Sequence, residues 1–210
     1  AVLDLAGLAH VRGDGADAFR LELPELVLGR GEVRALVGES GSGKSTLLGL
    51  LGLVAVPARI ARFRLAGEDA VDRLAAGDVD ALARLRRQAV GFVLQQGGLL
   101  PFLSVAENIA LTAPEGRPAP FTVGDLAGRL GIADCLGRRP GALSVGQRQR
   151  AAIARAVMGD PALILADEPT AALDPPASRA TLELFLALAA ERGTAAIVAT
   201  HAWSLVSEFD

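Results

Sequence analysis

Four short stretches of the chain, residues 33–37, 90–94, 163–166 and 196–199, are apolar at nearly every position. A strand with one wet face alternates apolar and polar residues, whereas an unbroken run suits a strand of a parallel sheet covered on both sides. Between these runs, apolar positions recur at helical spacing over residues 45–53, 79–88, 147–158 and 179–192. Strands alternating with helices predict an α/β fold, with functional loops gathered at the carboxyl ends of the strands.

Two regions depart from that rhythm. Residues 2–5 and 19–28 are apolar stretches broken by Gly and Asp, which predicts a small N-terminal antiparallel β subdomain up to about Gly31. After Gln96, the residues Gly97, Gly98 and Pro101 end the strand pattern, and a helical pattern runs to about Met158 around a loop at 114–120. Residues 96–158 therefore read as an α-helical subdomain inserted in the core of one domain spanning 1–210.

Composition narrows the possible partners. A net charge of −3 gives no basic face for nucleic acid, so no nucleic-acid partner is expected. Asp4, Arg12, Asp14, Asp17 and Arg20 interrupt what a signal peptide would keep apolar, and the longest apolar run is too short to span a bilayer. Any membrane role is thus expected to come through a partner. The single cysteine, Cys135, cannot form an internal disulfide, which suits a reducing cytosol and a buried small side chain. Of 21 basic residues, only Lys44 is lysine, a compact ammonium kept where a planar guanidinium would not serve.

Lys44 stands in Gly38-Glu39-Ser40-Gly41-Ser42-Gly43-Lys44-Ser45, which fits G-x-x-x-x-G-K-[ST] between a strand and a helix. The glycines let the backbone curl so that the amides from Gly41 to Thr46 form an anion nest, and the following helix adds its positive end. Lys44 is placed to reach the β- and γ-phosphates and Ser45 to ligate Mg²⁺. Downstream, Asp167 and Glu168 close the apolar run at 162–166. Asp167 fits a second Mg²⁺ group and Glu168 a base for the attacking water, although acids at a strand end also cap helices.

The segment Leu143-Ser144-Val145-Gly146-Gln147, followed by Arg148-Gln149-Arg150, resembles the signature of ATP-binding-cassette ATPases. With the phosphate loop and the acidic pair, the resemblance covers essentially the whole chain. It implies a P-loop NTPase core, ATP and Mg²⁺ as ligands, and a homodimer or paired cassettes that sandwich two nucleotides. Ser144, Gly146 and Gln147 would serve the partner's ATP, Gln95 would touch Mg²⁺ and the attacking water, and His201 would contact the γ-phosphate. Leu173-Asp174 resembles the loop that crosses the dimer interface.

Residues 96–103, with Glu107-Asn108, resemble the lipoprotein-release and macrolide-exporter group. There, an integral membrane permease seats a helix in a groove for which Leu99, Leu100 and Phe102 are candidates here. The implied function is the ATP-hydrolysing subunit of an ABC transporter, held on the cytoplasmic face of the membrane by its permease. A non-transport cassette of repair, translation or cell division is the alternative. Two departures stand out. Val145 replaces the first signature glycine, and the usual adenine-stacking aromatic is absent, leaving His10, Arg12 or Phe19 in its place.

Overall fold

The computed structural model describes residues 1–13, 15, 18–95, 97–116 and 118–201. Strands β1 (Leu3–Arg12) and β2 (Phe19–Leu28) pair antiparallel, with Leu3 opposite Leu28 and Arg12 opposite Phe19. Strand β3 (Val33–Val37) then leads through the glycine-rich loop into helix α1 (Lys44–Leu51). The chain next returns to the first sheet as β4 (Arg62–Leu65) and β5 (Glu68–Asp69), giving the order β2-β1-β4-β5. The antiparallel sheet is therefore not confined to the residues before Gly31; two of its strands come from beyond the phosphate loop.

Helices α2 (Val71–Ala76) and α3 (Val79–Ala89) run into β6 (Val90–Val93). Helices α4 (Val105–Ala110), α5 (Val123–Arg129) and α6 (Val145–Met158) follow. Strand β7 (Leu163–Asp167), helix α7 (Pro175–Arg192) and strand β8 (Ala195–Thr200) complete the described chain. The second sheet is wholly parallel, in the order β3-β8-β7-β6.

This parallel sheet separates two hydrophobic clusters, and the period of two along each strand decides which residue joins which. Leu163, Leu165, Ala195, Ile197 and Ala199 face Leu48 and Leu51 of α1 together with Leu3, Leu5 and Phe63 of the antiparallel sheet. Ile164, Ala166, Ala196 and Val198 face the opposite cluster, with Ile109 of α4, Leu126 of α5, Ile153 of α6 and Phe185 of α7. Burial on both faces is the physical reason these strands read as unbroken apolar runs. Cys135 is fully buried in the second cluster, and that burial raises its thiol pKa.

The helices are capped by local polar residues. Ser104 with Glu107 and Thr122 with Asp125 form reciprocal capping boxes at α4 and α5, while Asp174 accepts from the Ala177 amide at the start of α7. Asn108, fully buried on α4, braces the loop before it. Its Oδ1 accepts from the Leu100 amide at 2.7 Å, and its Nδ2 donates to the carbonyls of Leu100, Leu103 and Ser104. An unpaired buried polar group costs about 1–3 kcal/mol, so Asn108→Ala is expected to lower unfolding free energy by about 3 kcal/mol. Urea melts read this as a lower midpoint at unchanged slope; a change below about 0.5 kcal/mol would mean that solvent replaces the brace.

Candidate active site

All four parallel strands deliver a polar group to one edge of the sheet. The phosphate loop leaves β3 at Gly38, Gln95 stands two residues past the end of β6, Asp167 closes β7 with Glu168 next, and His201 follows β8 directly. This is the carboxyl edge, where ligands of open α/β sheets bind. A cavity of about 950 Å³ opens there, lined by Glu39, Ser40, Gly41, Gly43 to Thr46, Gln95, Asp167, Glu168 and His201.

The glycines of the loop are required by its shape. Gly41 and Gly43 have φ of 83° and 95°, left-handed values that favour glycine. Gly43 is also the N-cap of α1, so the free amides of that helix end at the cavity. Lys44 curls back over the loop, its Nζ donating to the carbonyls of Gly38 at 2.7 Å and Glu39 at 2.9 Å.

Glu168 is the hub of the site. Lys44 Nζ lies 3.8 Å from its Oε1, His201 Nδ1 lies 3.1 Å from the same oxygen, and Gln95 Nε2 donates to its Oε2 at 3.2 Å. The Lys44 and Glu168 side chains are only 7% and 14% exposed, so their attraction is less screened than that of a surface pair. Glu168 also has φ of +47°, a conformation that costs a non-glycine residue about 1–2 kcal/mol. Its amide donates to the Ala199 carbonyl at 2.9 Å and its carbonyl accepts from Ala171, which pins the strained turn. Backbone strain fixed in this way is a feature of sites where a side chain must be aimed.

Ser45, Asp167 and Gln95, all lining the cavity, carry the hard oxygen donors that suit Mg²⁺, too few to hold the ion without phosphate oxygens and water. Among the described residues, no group of three His, Cys, Asp or Glu side chains forms a protein-only metal site. The donor set therefore fits a metal that arrives with a phosphate.

Ser144, Gly146 and Gln147 do not line this cavity. Ser144 is the N-cap of α6, its Oγ accepting from the Gln147 amide at 3.2 Å while its own amide donates to Gln147 Oε1 at 2.9 Å. Val145 is 42% exposed, so its side chain sits in the first turn without disturbing the cap. Of the three base-stacking candidates, the structure brings Arg12 and Phe19 to the cavity and leaves His10 outside it. Phe19 packs on the loop itself: a methyl on Gly43 would stand 2.4 Å from its Cζ.

A glycine nest, a buried lysine and two carboxylates at the carboxyl edge of a parallel sheet define a phosphate-loop nucleoside triphosphatase. A family model for ABC transporters matches residues 21–171. The chain is 39% identical to the lipoprotein-releasing system ATP-binding protein LolD of Ruegeria sp., over 99% of this chain and 92% of that protein. It is 42% identical to the macrolide export ATP-binding/permease protein MacB of Nitrosomonas europaea, over 94% of this chain but only 31% of that longer protein. Its fold matches the dimeric structure of the ATP-binding cassette MJ0796 bound to ADP and Pi with a TM-score of 0.82 at 31% identity, covering 97% of this chain and 90% of that one. The chain belongs to the ABC transporter family, and within it is an ATP-binding subunit, the ATPase part of such a transporter.

Proposed function

We propose that this cassette hydrolyses ATP with Mg²⁺ in a head-to-tail dimer and drives a membrane permease on the cytoplasmic face of the membrane. The observation that carries this reading is the convergence of Lys44, Gln95 and His201 on the Glu168 carboxylate beside the phosphate loop. The amides from Gly41 to Thr46 and the Lys44 ammonium hold the β- and γ-phosphates. Glu168 takes the proton of the attacking water, which Gln95 orients, and His201 supports the charge that develops on the γ-phosphate. Ser45, Gln95 and Asp167 would hold Mg²⁺, which when bound neutralises phosphate charge. Glu168 holds groups that a γ-phosphate would also claim, so a bound phosphate takes over Lys44 and His201 and frees the carboxylate to act as base.

Ser144, Gly146 and Gln147 serve the nucleotide of the second subunit in this reading, which accords with their place outside the cavity of their own chain. Gly146 supports it independently. A methyl there would meet Leu173 Cδ2 at 3.4 Å and Arg150 Nη2 at 3.8 Å, ordinary contacts, so the fold does not demand glycine at this helical position. Gly146→Ala is expected to leave the fold at least as stable, because alanine is favoured over glycine inside a helix by about 0.5–1 kcal/mol. The same variant is expected to lose roughly tenfold or more in turnover, since small displacements of positioned groups are costly. Thermal melts and phosphate release read the two signs, and undiminished release would remove Gly146 from the second site.

Residues 96–158 act as the helical subdomain, and the permease seats against it. Leu100, Phe102 and Leu111 are exposed there, Phe102 to 66%, with Leu94 exposed just before the subdomain, beside a groove of about 330 Å³ between α3, β6 and α6. Leu99, in contrast, packs against the core. Phosphate release that persists at full rate in excess chelator would overturn the metal-dependent reading.

A further inference from the structure

Gln95 can act only if the loop that follows it is held, and that loop lies along one flank of α6. A methyl on Gly97 would stand 3.4 Å from the Arg148 carbonyl oxygen and 3.7 Å from Ala152 Cβ. One turn further on, the Arg155 guanidinium spreads across the loop, Nη1 donating to the Gly98 carbonyl at 2.8 Å and Nη2 to the Gly97 carbonyl at 3.0 Å. Residues 148, 152 and 155 share a single helical face, so three successive positions of α6 grip the loop. Gly97 and Gly98 have φ of 75° and 58°, the left-handed turn that brings both carbonyls to the guanidinium. The other end of α6 carries Ser144 at its tip.

We propose that Arg155 is a positioning residue that ties the loop of Gln95 to the helix bearing Ser144, so that the water-orienting glutamine and the signature tip move as one piece. The residue is not a surface cation that happens to touch carbonyls. Burial lowers its pKa, and among the described residues no carboxylate offsets that desolvation. A half-buried guanidinium is maintained there for the sake of two backbone oxygens, which only a planar fork can grip together. Arg155 also lines the groove with Phe92 and Leu100, so a helix seated in that groove presses on the same brace.

This inference rests on the reading of Gln95 given above, and a double-mutant cycle separates the two. In the full cassette, Arg155→Met keeps the bulk of the stem and removes both donors. It is expected to lower kcat by roughly 10- to 100-fold, the cost of a misplaced catalytic group. Its half-saturating Mg²⁺ concentration should rise, while calorimetric binding of metal-free ATP, which reads the phosphate loop alone, stays unchanged. Gln95→Ala should lose a similar factor in kcat, and the double variant should be no slower than the slower single one. Independent sites would instead multiply their effects, and that product would overturn the proposal. A Gln95→Ala variant with full turnover would remove the reading of Gln95 and the proposal with it. Arg155→Lys keeps the cation with a single donor head, and its loss should fall between wild type and Arg155→Met. Should Arg155→Met fail to fold, the same cycle run with Arg155→Lys decides between coupling and independence.

Discussion

Glu168→Gln is expected to lower ATP turnover by about two to four orders of magnitude, the range that a general base contributes, while ATP binding is retained or strengthened. The two effects have separate causes in the structure. Glutamine is close in shape, so the strained turn at φ +47° and the backbone bonds to Ala199 and Ala171 should persist. What changes is charge. The amide cannot take a proton from water at neutral pH, which removes the base. It also releases Lys44 and His201 from a carboxylate that competes with the γ-phosphate for them. Binding should therefore hold or tighten as turnover collapses, and ATP-loaded dimers should accumulate. Phosphate release, calorimetry and light scattering on the same preparation check the three outcomes. Turnover within threefold of wild type would assign the base to another group, and weakened binding would mean that Glu168 organises the loop rather than opposing the phosphate.

The elements legible in the sequence were those whose environment is uniform along their length. The central strands β7 and β8 are dry on both faces, so their residues are apolar whichever way they point, while the edge strand β3 keeps one exposed residue, Arg34; all four runs emerge within about a residue of their bounds. Strand β4 was invisible for the opposite reason. Arg62 and Arg64 point outward to Asp4, Glu25 and Asp69, and the main pairing of Arg62–Leu65 is with β1, some sixty residues earlier, beside a short pairing with β5. Periodicity places a helix start late where a cap sets it: α7 begins at Pro175 behind Asp174, and α6 at Val145 behind Ser144.

The site divides along the same line. The phosphate loop is contiguous, so its spacing alone carries it. The hub at Glu168 joins residues 44, 95, 168 and 201, and their meeting depends on a strand order that no local pattern encodes. The positive φ of Glu168 leaves no signal, since glutamate is not a residue that announces a left-handed turn, and the Arg155 grip on Gly97 and Gly98 leaves only a trace. That trace is the pair of glycines at 97 and 98, which by itself indicates only the end of a strand.

Lys44→Arg is expected to weaken ATP binding by about 2–5 kcal/mol, the cost of disrupting a desolvated charged contact. At 1.4 kcal/mol per decade, this is a factor of about 30 to 4,000 in affinity. The substitution preserves charge, and the rest of the chain shows how readily arginine is used: twenty basic positions carry it and Lys44 alone does not. The geometry supplies the reason. The ammonium sits inside the curl of the loop, with two of its three donors on the Gly38 and Glu39 carbonyls, and the side chain is 7% exposed. A point charge with rotatable donors can keep those two bonds and turn the third proton to a phosphate oxygen. A guanidinium is flat and wider, with donors fixed in a plane, so it must either leave the carbonyls or push the loop outward. Because Gly41 and Gly43 hold the nest by left-handed turns, an outward push also misaligns the amides that follow. Calorimetry with ATP should show the loss, with a melting temperature near that of wild type marking a defect in the site and not in the fold. Affinity within threefold of wild type would mean that charge alone, and not the compact ammonium, is what this loop requires.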